Sequence, residues 1–224
     1  MSEFAAGPAG RIERVRALMV ERGYDAIVVR DEANLRWLTG VKGVFDYTFE
    51  FPHAAFITAD QCLFHTDSRY LNSFEENTPA GSPWVYDMDE GTIPGWVAGK
   101  IAANKCRVCA VEDDMQINFY QGIQRGLEDR SVACMLPLMH DDIRKMRAIK
   151  DAEEIELMRH AQSITDAAFQ HMLGFIKPGM TEKRVRNELE NFMFANGADS
   201  LAFGSIVASG PNTANPHAVP SDRV

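Results

Sequence analysis

The chain has 224 residues, 46% hydrophobic and 25% charged, with 23 Lys and Arg against 32 Asp and Glu for a formal net charge of -9. That length suits one large or two modest domains, and the composition excludes wholesale disorder and fibrous architecture. So acidic a chain is a poor binder of nucleic acid or anionic lipid, no apolar run approaches the roughly 18 residues that span a bilayer, and four cysteines are too few for a disulfide scaffold.

The opening MSEFAAGPAGRIERVR has no apolar core and no cleavage signature, so a cytoplasmic protein with no nucleic-acid or membrane partner is expected. Residues 1–10 read as a loose tail. A helix follows from about Arg11, with Ile12, Val15, Leu18 and Met19 at three- and four-residue steps and Gly23 as its stop. Ala26-Ile27-Val28-Val29 is a short apolar run of the buried-strand type, and DEANLRWLTG a short helix closed by Gly40. HAAFIT and CLFHT are two strands. TDSRYLNSF turns into a helix with Asp67 or Ser68 as its expected N-cap. PWVYD is a strand, and 92–103 a helix weakened by Pro94, Gly95 and Gly99. CRVCAVE, QINFYQGIQRGL and SVACML then give strand, helix, strand. This alternation predicts an α/β domain with a partly parallel sheet.

The character changes near residue 140, which divides the chain into domains 1–140 and 141–224. A long helix is predicted from Asp151 to about Ile176, opened by Asp151 and Glu154 at capping-box spacing. Its apolar stripe comprises Ile155, Met158, Ala161, Ile164, Ala168, Met172 and Phe175. Lys177-Pro178-Gly179 breaks it. Thr181 caps a second helix, with Val185, Leu189, Phe192 and Met193 on one face and Gly197 just past its end. LAFGSIVASG reads as an apolar strand and PNTANPHAVPSDRV as a loop. Two helices and one strand leave an unpaired edge and an uncovered apolar face, so the chain reads as the front part of something longer.

Few residues advertise chemistry. Cys106 and Cys109 form a CxxC with no second pair to complete a metal knuckle, and a strand would point them to opposite faces. Of six histidines none forms an HxH or HExxH pair. His160 and His171 share a helix face but stand about 16 Å apart by helical rise, too far for one metal. His53, His65 and His140 read as ordinary polar residues. His217 differs in context: it follows a strand, in a loop containing Ser209-Gly210-Pro211-Asn212, with Pro216 stiffening its approach. Glu112-Asp113-Asp114 reads as the start of a turn and helix, and Asp141-Asp142 as helix N-terminal charge. Phe45, Tyr47, Phe49 and Phe51 alternate at period two, which suits a buried strand face or the rim of a cleft or subunit interface.

Several stretches taken together resemble the Xaa-Pro peptidases, prolidase and aminopeptidase P, of the pita-bread metallopeptidases. They are RIERVRALMVERGYDAIVV with NLRWLTG, HTDSRY at 65–70, RKMRAIKDAEEIELMRHAQSITDAAF, IKPGMTE at 176–182 and FGSIVASGPNTANPH at 203–217. The resemblance implies an α/β creatinase/prolidase-like N-terminal domain with a mixed sheet, followed by the incomplete start of an α+β pita-bread catalytic domain. It implies hydrolysis of the amide bond before proline in proline-containing peptides, by a homodimer carrying two divalent ions (Mn, Co or Zn). His217 falls on the family's active-site histidine, and Phe203 joins it as a substrate-binding position. All five family metal ligands lie downstream of His217, and Asp222 is too close to it to match the first of them. No metal is therefore expected on this chain alone, which is expected to be inactive. Two alternatives stay open: a fragment of a creatinase-like, metal-free amidinohydrolase, and a non-catalytic dimerisation or binding module.

Overall fold

An unbroken apolar run such as Ala26–Val29 forms a strand only where both of its faces are covered. The computed structural model, which describes residues 7–45, 52–88 and 91–224, covers both. The first unit runs α1 (Gly7–Arg22), β1 (Ala26–Val29), α2 (Glu32–Thr39), β2 (Ala54–Thr58), β3 (Cys62–His65), α3 (Leu71–Asn77), β4 (Val85–Asp87), α4 (Ile93–Ala103), β5 (Cys109–Val111), α5 (Ile117–Glu128) and α6 (Asp142–Ala148). Its five-stranded sheet has the order β4-β3-β2-β1-β5. The β1–β2 and β2–β3 pairs are antiparallel; β1–β5 and β3–β4 are parallel. The mixed sheet predicted from the sequence is therefore present.

Side-chain alternation along each strand divides the core into two layers. Ile27, Val29, Ala55, Ile57, Phe64 and Ala110 face one side, where Ile12, Val15 and Met19 of α1 and Leu35 and Leu38 of α2 cover them. Ala26, Val28, Ala54, Phe56, Cys109 and Val111 face the other, under Trp96, Val97 and Ile101 of α4 and Phe119, Ile123 and Leu127 of α5. Gly40 ends α2 at φ 68, and a Cβ there would lie 2.7 Å from Cγ of Pro8, so the position requires glycine on both counts.

The structure departs from the sequence reading at several elements. The helix α1 begins at Gly7, with Pro8 in its first turn, where a missing N–H costs nothing. Asp67 caps no helix: it binds Arg69 within its own turn, and α3 starts after Tyr70. SVACML forms no strand: Met135 within it makes an isolated bridge to Val108, and Leu138 just beyond it another to Val111. Met135 N and Met139 N donate to Arg107 O and Val111 O, but Pro137 between them has no N–H to continue the ladder. Cys106 precedes β5, so it and Cys109 lie in one core layer rather than on opposite faces. Phe45 is buried against Phe64, Phe74 and His53 and is no rim residue. Tyr47, Phe49 and Phe51 lie outside the described residues.

The chain divides between Ile149 and Lys150. The expected boundary at residue 140 falls ahead of α6, whose Ile143 belongs to the first layer of the core, so this helix stays with the first unit. The second unit contains α7 (Ala152–Phe175), α8 (Glu182–Ala195) and a 3₁₀ turn at Gly210–Ala214. Asp151 and Glu154 form the expected capping box. Of the predicted α7 stripe, Ile164, Ala168 and Met172 are buried, whereas Ile155 and Met158 are exposed. LAFGSIVASG forms no strand. A strand needs a hydrogen-bonded neighbour, and among the described residues none pairs with 201–210. No described helix is long and apolar enough to cross a membrane.

Candidate functional site

The loop that carries His217 is built from the start of α8. Thr181 caps that helix, its Oγ1 accepting from Arg184 N at 3.2 Å. Glu182 therefore enters the first turn, where unpaired N–H groups favour an anion. It is only 2% exposed, and a buried carboxylate requires compensating donors. Residues 209–221 supply them. Oε1 accepts from Ser209 N at 2.7 Å, Ser209 Oγ at 3.1 Å and Asn212 Nδ2 at 3.0 Å. Oε2 accepts from Ser221 Oγ at 2.7 Å and Ser221 N at 3.0 Å, with Asn212 Nδ2 at 3.2 Å. These bonds, that from the Ser221 hydroxyl foremost, lower the carboxyl from 4.5 to about 2 although burial opposes them. Glu182 is thus ionised across the ordinary pH range.

Further bonds fasten the same segment. Glu182 N donates to Arg223 O, Lys183 N to Ser221 O, and Lys183 Nζ pairs with Asp222 at 2.8 Å. Gly210 has φ 50, and the Arg223 guanidinium comes within 3.2 Å of where its Cβ would be. Within the loop, Asn215 Oδ1 accepts from His217 N at 3.1 Å and Asn215 O from Ala218 N at 3.2 Å. Ala218 and Pro220 are buried, while His217 and Val219 face solvent. That alternation presents the His217 imidazole outward, free to donate or accept a hydrogen bond or to move a proton. Phe203 is 74% exposed, ahead of the 3₁₀ turn. Among the described residues no hydrogen bond or ring contact joins it to His217.

Three of the remaining histidines, His53, His65 and His171, pack within the fold. His53 is fully buried among Phe45, Phe64, Tyr70 and Phe74, and burial lowers it from 6.5 to about 4. His65 lies 5.0 Å from the Trp96 ring. His171 pairs with Glu188 at 2.7 Å and stacks on Phe192, joining α7 to α8. His140 and His160 are exposed. All four cysteines are free thiols, and burial raises Cys62 and Cys106 to about 11, which makes them poor nucleophiles. Among the described residues no group of three or more His, Cys, Asp or Glu is placed to hold a metal.

Two buried carboxylates escaped the sequence reading. Glu182 stood in view in IKPGMTE, but its partners are 27 to 39 residues downstream, and no local pattern reports such a pairing. Glu112, read as the start of a turn, is 5% exposed and accepts from Arg30 N, Asp31 N and Asn34 Nδ2. It lines a cavity of about 140 Å³ with Asp31, Asn34 and Arg147.

Comparison with known proteins follows the same division. The family described as Creatinase/Prolidase N-terminal domain matches residues 11–149, and Metallopeptidase family M24 matches residues 156–224. An uncharacterized peptidase of Bacillus subtilis, YqhT, is 31% identical over 221 residues, covering 96% of this chain and 57% of its own. The Xaa-Pro dipeptidase from Bacillus anthracis superposes with a TM-score of 0.80 at 31% identity, over 95% of this chain and 56% of that one. The X-Pro aminopeptidase from Thermotoga maritima gives 0.77 at 27%, with the same coverage. The chain thus spans a little over half the length of these relatives. With one family covering most of its first unit and the other most of its second, the chain belongs to the prolidase-type M24 metallopeptidases, carrying their creatinase/prolidase N-terminal domain and the start of their M24 domain.

Proposed function

We propose that this chain is the N-terminal portion of a metal-dependent Xaa-Pro peptidase and that it does not turn over substrate by itself. The observation that carries the reading is the outward-facing His217 on a fastened loop, in a chain that resembles Xaa-Pro peptidases along nearly its whole length. A bond before proline has no N–H and a ring-constrained φ, so recognition by an extended strand fails and a dedicated cleft is required. His217 donates a hydrogen bond to the oxygen on which charge develops as the amide is attacked, a contribution of about 2–4 kcal/mol. Phe203 offers an apolar face for the substrate. The family implies divalent ions; the donors described in this chain do not fit such a centre, so what it contributes is the imidazole and its support.

The test compares this chain with the same chain extended by the sequence its gene encodes after Val224, on a Xaa-Pro dipeptide and a longer Xaa-Pro peptide with added Mn²⁺ or Co²⁺. The extended protein is expected to hydrolyse one or both and the 224-residue chain neither. Turnover by the short chain alone overturns the claim of inactivity. An extended protein that cleaves only bonds not followed by proline overturns the substrate.

A further inference from the structure

We propose that Glu182 is a positioning residue for His217, its two carboxylate oxygens holding the loop on either side of the histidine. The proposal rests on the reading of His217 as a group that contacts substrate. Ser209 and Asn212 lie before His217 and bind Oε1; Ser221 lies after it and binds Oε2. One side chain therefore fixes both ends of the segment that presents the imidazole.

Other bonds from the start of α8, Glu182 N to Arg223 O, Lys183 N to Ser221 O and Lys183 Nζ to Asp222, reach only the part after His217; the Glu182 side chain alone reaches both sides. From residue 203 to 224 the only regular element among the described residues is the 3₁₀ turn, and the small side chains of Ala218 and Pro220 are the only apolar ones buried there. Its order comes from polar bonds, and those to an ionised acceptor are the stronger kind. Helix capping does not explain the arrangement. An anion that serves only the helix terminus binds N–H groups of its own first turn, whereas the side-chain partners of Glu182 are all in the downstream loop. A glutamine would keep the volume but accept on one oxygen only, turning an N–H₂ towards donors that the carboxylate satisfied.

The experiment uses NMR on this chain, as wild type, Glu182→Gln and Ser221→Ala, the second variant removing one hydroxyl and disturbing α8 less. Amide exchange is read at Ser209 and Ser221, ring resonances at His217, and exchange along α7 and α8. In both variants exchange at the loop amides is expected to rise, about tenfold or more for Glu182→Gln, and the His217 ring signals to shift and average, with protection of α7 and α8 retained. In the extended protein, Glu182→Gln is expected to lower kcat about 10²-fold with KM nearly unchanged, and Glu182→Asp, which keeps two acceptors, to recover part of the loss. Unchanged His217 signals in both variants overturn the proposal. So does a loss of protection throughout α7 and α8 in both, which makes Glu182 a folding residue only. Absence of Xaa-Pro turnover in the extended wild type would refute the proposed function and leave the resonance measurements to decide the clamp.

Discussion

Glu112 and His53 are buried in the same unit, and burial shifts them in opposite directions. Burial raises the Glu112 carboxyl from 4.5 to about 7, with the bonds from Asn34, Arg30 and Asp31 pulling the other way. Its contribution to stability is full below 4.5 and is lost as pH rises through about 7. Burial lowers His53 from 6.5 to about 4, with Asp67 opposing, so its contribution is full above 6.5 and is lost as pH falls through about 4. Between 4.5 and 6.5 the two slopes oppose. Glu112→Gln removes only the first, so the advantage of wild type over the variant in urea unfolding should shrink, by on the order of 3 kcal/mol, as pH rises from 4.5 to about 7. A difference independent of pH would show that Glu112 is charged throughout. None of this was legible in the sequence: an acidic triplet after a strand looks alike whether its first member points to water or into the core.

At the scale of elements, the close approach of α4 and α5 sets a sharper condition than helix propensity. A Cβ on Gly126 would lie 2.7 Å from Cβ of Ala98, which has no flexible end to yield. Gly126→Ala gains about 1 kcal/mol of helix propensity but overpacks the crossing at a cost of about 1–3 kcal/mol. A net loss of stability of up to about 2 kcal/mol is expected in denaturant unfolding, and a gain would refute the tight crossing. In α7, Asp151→Ala removes half of the capping box and should cost about 1 kcal/mol, read as faster exchange in the first turn. Elements fixed by local chemistry were readable: β1 from its apolar run, α2 from Gly40, α7 from Asp151 and Glu154, α8 from Thr181. Those that depend on a distant partner were not. LAFGSIVASG has the apolar content of a strand, but content does not supply a neighbour, and Ser209 at its end bonds Glu182 instead.

Across the whole molecule the two units differ in what they bury. The first encloses its sheet between two apolar layers, with β1 and β2 entirely buried. The second buries only Ile164, Ala168, Met172, Ala218 and Pro220 among its described apolar residues, and leaves Leu157, Phe169, Leu173 and Phe203 more than half exposed. Amides of β1 and β2 should therefore exchange slowest and those of α7 and α8 sooner; equal protection in the two units would contradict this. The overall architecture was legible because alternating strands and helices constrain topology. Of the proposed site only His217 was legible, since the Glu182 bonds to its loop join residues far apart in the chain. The central claim, that this chain supplies the His217 wall of a Xaa-Pro peptidase, is tested most directly by steady-state hydrolysis of a Xaa-Pro dipeptide by the extended protein and its His217→Ala variant, side by side. A kcat about 10²–10³-fold lower in the variant is the predicted result; equal turnover by the two proteins would contradict it.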